Sequence, residues 1–253
     1  MHNGFVNVDS EKMSKSLGNF FTIRDVVARY APTALRLMLL GTHYRAAINY
    51  TQRALEEASD RMFYIYQTLA DADAAVAADS SAGDAPPSDA KPKKVPPPGP
   101  AELAMALATD LPTAVATALD DDLNTPQALA ALSAPLKAAN DLLSTKQGRK
   151  APNRIAALRQ LVHAMRLALD MLGLSDGGQP LTELAPLRLA ALQRAGLSPA
   201  DVDAAMARRL AARQAGDYAE GDTIRLELSA KGIALQDNPD GTMTWRPAVA
   251  DTP

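Results

Sequence analysis

The chain has 253 residues, a net charge of −3 and a composition in which 47% of the residues are hydrophobic but only 4% aromatic. Small and aliphatic side chains in this proportion favour packed helices over a sheet sandwich. We find no apolar run of about 18 residues and no signal-peptide pattern, so we expect no membrane span and a cytoplasmic protein, with which the lack of cysteine agrees. The weakly acidic charge gives no electrostatic indication of nucleic-acid binding.

The segment from residue 12 to residue 19 carries the clearest chemical signal. It reads Lys-Met-Ser-Lys-Ser-Leu-Gly-Asn. An ammonium on a flexible stem can follow the charge that develops on a departing pyrophosphate, which suits Lys15, and Ser14 and Ser16 add hydroxyl donors. Gly18 allows the backbone to turn. The pattern predicts a mobile loop that closes over nucleotide phosphates; a solvated surface loop is the alternative.

Three helices are predicted between residues 22 and 78. Thr22 and Asp25 form a capping-box pattern ahead of a helix that we expect to run from Ile23 to Tyr30. A second helix, residues 33–40, is apolar on almost all sides and belongs in a core. Thr51 caps a third, long helix. The buried stripe predicted for this third helix consists of Leu55, Ala58, Met62, Ile65 and Leu69.

Residues 79–100 interrupt the helical pattern. Seven prolines lie there among alanine, serine, aspartate and lysine, a composition that cannot form a core. We expect an exposed, partly extended linker. The linker carries a basic cluster that consists of Lys91, Lys93 and Lys94. Contact with RNA is one interpretation of this cluster, but we prefer the interpretation that it is part of a solvated linker.

Helices resume near residue 101 and continue to about residue 174. Thr125 is the predicted N-cap of a helix with Pro126 in its first turn. The three acidic residues before it, Asp120, Asp121 and Asp122, suggest a metal or acid/base site in isolation. Adjacent side chains point in different directions, however, so we favour a structural role in a turn between two helices.

The last quarter of the chain combines helices with a hairpin. After a linker at residues 175–180 and a weakly patterned stretch, Ser198-Pro199 begins a helix that ends near Gln214. Asp217 caps another helix, which ends at Gly232. Strands at 233–236 and 242–246 then flank a turn. The predicted fold is therefore mainly α: a helical bundle followed by a small α+β domain with a C-terminal hairpin.

Several motifs, in this order, resemble one known family. They are the Lys-Met-Ser-Lys-Ser segment at 12–16, Asp-Asp-Asp-Leu-Asn-Thr-Pro at 120–126, and near the end Gly232-Ile233, Gly241-Thr242 and Trp245-Arg246. The first is similar to the signature loop of class I aminoacyl-tRNA synthetases. The whole set resembles bacterial cysteinyl-tRNA synthetase from that loop to its C-terminus.

The resemblance implies a function for the loop. ATP, with magnesium, and cysteine tRNA are the expected partners. Lys15 and Lys12 would be catalytic, and Lys12, Ser14, Lys15 and Ser16 would bind ATP. The expected domains are the signature-loop segment (1–22), a bundle of the class I anticodon-binding type (23–78 and 101–174), the linker (79–100) and an anticodon-binding domain (181–253).

Four residues of the last domain match the family's anticodon-binding positions: Arg213, Tyr218, Asp222 and Asp237. RNA loops are read by stacking on aromatic or guanidinium planes and by hydrogen bonds to base edges. Arg213 can donate bidentate bonds, Tyr218 offers a flat face, and the two carboxylates can accept from base amino groups. Ordinary polarity of a helix surface is the alternative.

The sequence lacks two features of the family. No glycine-rich strand-to-helix turn precedes Lys12, and the chain has no cysteine to ligate the family's zinc ion. His2, His43 and His163 lack metal-ligand spacing, so we predict no metal site and expect zinc only in an N-terminal half that is absent here.

We therefore interpret the chain as the C-terminal half of a cysteine--tRNA ligase. We expect it to be monomeric, inactive alone, and a possible partner of the missing half. A stand-alone, non-catalytic tRNA-binding module is the alternative. A ligase of the mycothiol pathway would resemble the loop and bundle but lack the C-terminal domain that is present here.

Overall fold

A computed structural model describes residues 2–14, 16–19, 22–79, 98–175, 180–237 and 242–248. The elements follow in chain order: β1 (Val6–Val8), β2 (Glu11–Lys12), α1 (Ile23–Val27), α2 (Pro32–Leu40), β3 (Ile48–Tyr50), α3 (Gln52–Ala78), α4 (Pro100–Asp120), α5 (Thr125–Ala131), α6 (Ser133–Ser144), α7 (Lys146–Arg149), α8 (Arg154–Met171), α9 (Pro180–Ala195), α10 (Pro199–Gln214), α11 (Tyr218–Ala230), β4 (Ile233–Asp237) and β5 (Met243–Pro247). The predicted mainly helical fold with a C-terminal hairpin is confirmed. Within these ranges, no helix combines the length and apolar character needed to cross a bilayer.

The chain divides into two compact units. One consists of residues 1–64 together with 181–253, and the other of residues 65–180. The division falls inside α3. The domain boundaries expected from the sequence stay a prediction, and of the linker expected at 79–100, positions 80–97 lie outside the described residues.

A small mixed sheet supports the signature segment. Its strand order is β2-β1-β3, with β2 antiparallel and β3 parallel to β1. Asp9 and Ser10 join β1 to β2 with φ angles of 48° and 70°. Two consecutive positive φ angles are typical of the tight hairpin turns that match the strand twist. The Ser10 amide donates to Asn49 Oδ1 at 2.8 Å, so the turn is also attached to β3.

The first three helices form as their local signals predict. The Thr22 and Asp25 capping box is present, although α1 ends at Val27 and not at Tyr30. At the start of α3, the Ala54 amide donates to Thr51 Oγ1 at 3.0 Å, which confirms the predicted cap. All five members of the predicted α3 stripe are buried: Leu55, Ala58, Met62, Ile65 and Leu69.

The unit of residues 65–180 is a helical bundle in which α4 packs along α8. The acidic triplet lies at the end of α4 and in the turn before α5, where Asp122 and Leu123 adopt φ angles of 52° and 54°. The prediction of Thr125 as the next N-cap was wrong, because Asn124 is the cap and accepts from the Gln127 amide at 3.2 Å. The side-chain oxygen of Asn124 therefore satisfies a free amide of the first helical turn, and Thr125 is the first residue of α5.

The C-terminal elements share a core of their own. Residues of α9, α10, α11 and β4 are buried together: Ala191, Leu192, Val202, Ile224, Leu228 and Ile233. Leu235 and Trp245, which face each other across the hairpin, pack against this core. Helix α9 was missed in the sequence, where its stretch was described as weakly patterned. Its buried Leu184, Leu187 and Ala191 follow the helical spacing that would have revealed it.

Candidate functional site

The signature segment continues directly from the small sheet. The Met13 amide donates to the Val6 carbonyl at 3.1 Å, which extends the pairing of β2 with β1 by one bond. Lys12 is exposed at the end of β2, and its Nζ lies 4.8 Å from the centre of the Phe5 ring. This cation–π contact holds the exposed ammonium beside the Phe5 ring.

The side chain of Asn19 closes the loop. Its Oδ1 accepts from the Ser14 amide at 2.8 Å, and its Nδ2 donates to the Lys12 carbonyl at 3.2 Å. Inside the closed loop, Ser14 Oγ accepts from the Leu17 amide at 3.2 Å. Gly18 has φ of +70°, a conformation that other residues adopt at a cost. The sequence predicted a turn here but not the two hydrogen bonds of the Asn19 amide.

The donors of this loop suit an anionic ligand. Ser14 Oγ and Ser16 Oγ are 3.1 Å apart, and residues 12–19 contain no carboxylate. Lys15, the residue to which the resemblance assigns the main catalytic role, lies outside the described residues. The loop therefore presents hydroxyl groups and the Lys12 ammonium, a set that matches a polyphosphate.

Two of the four predicted anticodon-binding residues are in direct contact. Arg213, in the last turn of α10, donates from Nη1 to Asp237 Oδ2 at 2.8 Å. Asp237, the last residue of β4, also accepts two bonds from Arg209, at 2.7 Å from Nη1 and at 3.1 Å from Nη2. Helix α10 and the hairpin are thus joined by one carboxylate between two guanidinium groups.

The other two predicted residues lie on α11. Tyr218 and Asp222 are one turn apart and share a face of the helix. Tyr218 is 66% exposed, so its ring is available for stacking. Between them, Gly221 is buried: a Cβ at that position would lie 3.5 Å from Arg213 Cγ and 3.9 Å from Arg209 Cγ. This close approach brings α11 against the aliphatic part of both arginines.

The cluster is electrostatically coupled. The hydrogen bonds from Arg209, and then the charges of Arg209 and Arg213, lower the pKa of Asp237 to about 2. The same hydrogen bonds, followed by the charges of Asp237 and Asp222, raise the pKa of Arg209. Asp222 therefore acts on the same cluster, although it is exposed. The structure brings Arg213 and Asp237 into contact, and Asp222 lies on the neighbouring helix with Tyr218 one helical turn away.

Arg209 is the member of the cluster that the sequence analysis missed. Its side chain is only 5% exposed, whereas the Asp237 side chain is 48% exposed. Arg209 and Arg213 are four residues apart on one helix, and like charges at this spacing repel each other. That spacing was the available signal, because such a pair calls for an acid between the two guanidinium groups. Nowhere in the described ranges is a group of three or more His, Cys, Asp or Glu side chains arranged to hold a metal ion.

Comparison with family models gives three matches in chain order. Residues 1–60 match the catalytic domain of class I (C) tRNA synthetases. Residues 114–175 match the DALR domain, and residues 195–246 match the cysteinyl-tRNA ligase anticodon binding domain. The signature loop and the arginine–aspartate cluster thus lie within the first and the last of these matches.

The curated relatives match this chain over nearly its whole length. The chain is 45% identical over 251 residues to the chloroplastic/mitochondrial cysteine--tRNA ligase of Arabidopsis thaliana, covering 98% of this chain and 42% of the relative. It is 43% identical to the cysteine--tRNA ligase of Anaeromyxobacter sp. (strain Fw109-5), covering 97% and 46%. For the enzyme of Pelobacter propionicus the identity is 40%, with coverage of 97% and 48%.

The loop and the helical domains thus place the chain among the class I aminoacyl-tRNA synthetases. Within that class it belongs to the cysteinyl-tRNA synthetase family and corresponds to the C-terminal portion of its members. The chain spans less than half the length of the curated relatives named above. Because residues 1–60 match a catalytic domain, the alternative of a non-catalytic tRNA-binding module is not favoured.

Proposed function

We propose that this chain is part of an enzyme that attaches cysteine to its tRNA at the expense of ATP, and that it supplies the signature loop and the anticodon-binding surface. The contact between Arg213 and Asp237 carries the proposal, because two residues expected to read the anticodon are joined at 2.8 Å. In this proposal the protein works as a monomer in the cytoplasm, with ATP and cysteine tRNA as partners.

The loop would act during activation of the amino acid. A cysteine carboxylate oxygen attacks the α-phosphorus of ATP, the bond to pyrophosphate breaks, and negative charge accumulates on the leaving group. Lys15 would stabilise that charge, with Lys12, Ser14 and Ser16 binding the phosphates. Magnesium is expected with ATP, whose phosphates are its usual ligands at such sites.

The cluster on α10, α11 and β4 would read bases. Arg213 is 44% exposed and uses one nitrogen on Asp237, which leaves further N–H groups for a base edge. Asp222 is an exposed acceptor on the neighbouring helix. The Tyr218 ring provides a surface on which a splayed base can stack. Arg209 would position Asp237 without touching the RNA, because it is buried.

Binding of a cysteine tRNA transcript to the 253-residue chain tests the RNA part of the proposal. Arg213→Ala should weaken binding by about 1–3 kcal/mol, the value of a bidentate base contact. Arg208→Ala is the matched control, because Arg208 is an exposed arginine of the same helix that is already paired with Glu220 at 2.8 Å. Equal losses in both variants would show that only general charge matters.

Adenylation is tested by exchange of pyrophosphate into ATP. We expect no cysteine-dependent exchange from these 253 residues alone. In a fusion with the nucleotide-binding domain of a relative, Lys15→Ala should lower the exchange rate by about 10²–10³-fold, the order found when one group that stabilises transition-state charge is removed. Lys150→Ala, at an exposed lysine of the other unit, should have no effect. Unchanged exchange in Lys15→Ala would overturn the assigned role.

A further inference from the structure

Among the C-terminal residues that the structure describes, two arginines stand apart from the ion pairs. From residue 200 onward the basic residues are Arg208, Arg209, Arg213, Arg225, Lys231 and Arg246. Three of them form ion pairs, Arg208 with Glu220 and both Arg209 and Arg213 with Asp237. Lys231 contributes, after the hydrogen bonds from Ser198, to the lowered pKa of Asp201. Among the described residues, Arg225 and Arg246 form no ion pair.

These two arginines line the same cleft, which has a volume of about 280 Å³ and lies between α11 and the hairpin. Arg225 and Ser229 are four residues apart on α11 and therefore share a face. Arg246 on β5 is paired with Ala234 on β4, and Gln236 follows two residues later on the same face of that strand. We call this site the arginine cleft.

The lining of the arginine cleft has the chemistry of a phosphate site. Its polar members are the Arg225 and Arg246 guanidinium groups, the Ser229 hydroxyl and the Gln236 amide, and no carboxylate is among the described residues that line it. Guanidinium groups match the geometry of phosphate oxygens, and hydroxyl and amide groups add donors. Both arginines are exposed, so their charge is available to a ligand.

We propose that the arginine cleft binds a backbone phosphodiester of the tRNA. This inference rests on the proposed function, because it assumes that RNA is bound at the Arg213 cluster. No aromatic side chain is among the described residues of the lining, so the cleft has no surface for stacking a base. Such a site fixes the position of the RNA and does not read its sequence. The cleft and the cluster have two elements in common, α11 and β4.

Salt-dependent binding of a cysteine tRNA transcript to the whole chain tests the inference. The double variant Arg225→Ala/Arg246→Ala should bind about tenfold more weakly at low salt, as expected for two exposed charge-assisted contacts. The slope of log K against log salt should fall by about 1 for each arginine removed. For a transcript with an altered anticodon, the double substitution should reduce the affinity by the same factor.

Two further variants separate a phosphate site from general charge. Arg53→Ala/Arg208→Ala removes the same charge at exposed arginines that are already paired with Glu57 and Glu220, and it should leave affinity and slope unchanged. Arg225→Lys/Arg246→Lys keeps the charge and should retain most of the slope. Inorganic phosphate serves as a competitor. The concentration of phosphate that displaces the transcript should be the same for the unmodified chain and for the double alanine variant.

Each outcome decides the inference. If the double alanine variant binds as well as the unmodified chain while Arg213→Ala binds weakly, the inference is overturned and the proposed function stands. A change confined to anticodon discrimination would also overturn it, since phosphates carry no sequence. Competition by phosphate that vanishes in the double alanine variant, without any loss of RNA affinity, would assign the cleft to a free anion. If the unmodified chain binds no transcript, the proposed function itself fails.

Discussion

Arg209 and Asp237 form a bidentate ion pair that joins α10 to the first strand of the C-terminal hairpin, with N···O distances of 2.7 and 3.1 Å. The guanidinium is almost completely buried, whereas about half of the carboxylate side chain is exposed. The buried partner therefore serves the fold, and the exposed partner faces the solvent, where RNA is expected. One interaction thus connects hairpin stability to the proposed reading surface.

The first prediction concerns acid stability. Because the folded-state pKa of Asp237 is about 2 and the usual value is about 3.9, the ion pair stabilises the fold fully above about pH 5. That contribution should be lost as the pH falls from about 4 to about 2. Asp237→Asn should destabilise the C-terminal elements by about 1–3 kcal/mol at pH 7, because a buried guanidinium loses its charged partner.

Urea unfolding followed by the fluorescence of Trp245 measures this effect, since Trp245 is the single tryptophan and packs on the C-terminal core. The stability difference between the two proteins should shrink as the pH falls below 4. Asp203→Asn, which changes an exposed carboxylate of α10, serves as the control. A difference that stays constant from pH 7 to pH 2 would contradict the assignment to Asp237.

The second prediction concerns stacking by Tyr218. Its ring is 66% exposed, so removal should cost the fold little but should weaken transcript binding. Tyr218→Ala should lose about 1–3 kcal/mol of binding free energy, the usual value of one base stacked on an aromatic ring. Tyr218→Phe keeps the ring and should bind like the unmodified chain, and Tyr218→Trp should bind at least as tightly. Equal affinity of the alanine and phenylalanine variants would exclude stacking.

The third prediction concerns the start of α10. Ser198 Oγ accepts from the Asp201 amide at 3.3 Å, and Asp201 Oδ2 accepts from the Ser198 amide at 2.7 Å. Ser198→Ala removes half of this capping box and should destabilise the C-terminal elements by about 0.5–2 kcal/mol. Ser198→Thr retains a capping hydroxyl and should be nearly neutral. Trp245 fluorescence in urea is the measurement, and an alanine variant as stable as the threonine variant would disprove the role of the cap.

The fourth prediction concerns Gly4. Its amide donates to the Tyr44 carbonyl at 2.7 Å, and a Cβ at this position would lie only 2.1 Å from the Ala46 carbonyl oxygen. Gly4→Ala should therefore push the start of β1 away from the backbone at Ala46, just before β3. We expect this to lower the free energy of unfolding by about 1–3 kcal/mol. Hydrogen exchange of the Ile48 amide, which donates to the Phe5 carbonyl at 2.8 Å, reports on this local pairing.

The control for this substitution is Gly99→Ala, because nothing lies within 4 Å of a Cβ at position 99. It should leave the exchange of the Ile48 amide unchanged. Full protection of that amide in Gly4→Ala would mean that the backbone accommodates the methyl group without separating the strands.

The fifth prediction concerns the closure of the signature loop. Asn19→Ala removes both hydrogen bonds of the side chain, so the Ser14 amide should exchange with solvent faster by a factor of about 5–10, corresponding to one lost hydrogen bond. Asn19→Asp keeps an acceptor for the Ser14 amide but loses the donor to the Lys12 carbonyl. It should therefore preserve most of the protection. If the alanine variant exchanges no faster, Asn19 does not hold the loop.

Local signals were sufficient for much of the fold. The capping box at Thr22 and Asp25, the α3 stripe and the helix start at Ser198-Pro199 each depend on residues within a few positions of one another, and all were found in the sequence. Where two local signals competed, the prediction was wrong, because Thr125 was the predicted cap and the structure has Asn124. Asn124 and Thr125 are both residue types that cap helices well, and the structure places Asn124 directly after the positive-φ residues Asp122 and Leu123.

The sequence by itself determined the helical class, the family and the chemistry of the signature loop, because composition, spacing and motif order are properties of the chain alone. Tertiary structure alone decided which charges are neutralised. Arg209 and Asp237 are separated by 28 positions, and only the packing of the hairpin against α10 brings them together. Packing also places Arg225 and Arg246 in one cleft whose described lining residues include no carboxylate, since pairing depends on distance in space and not on net charge.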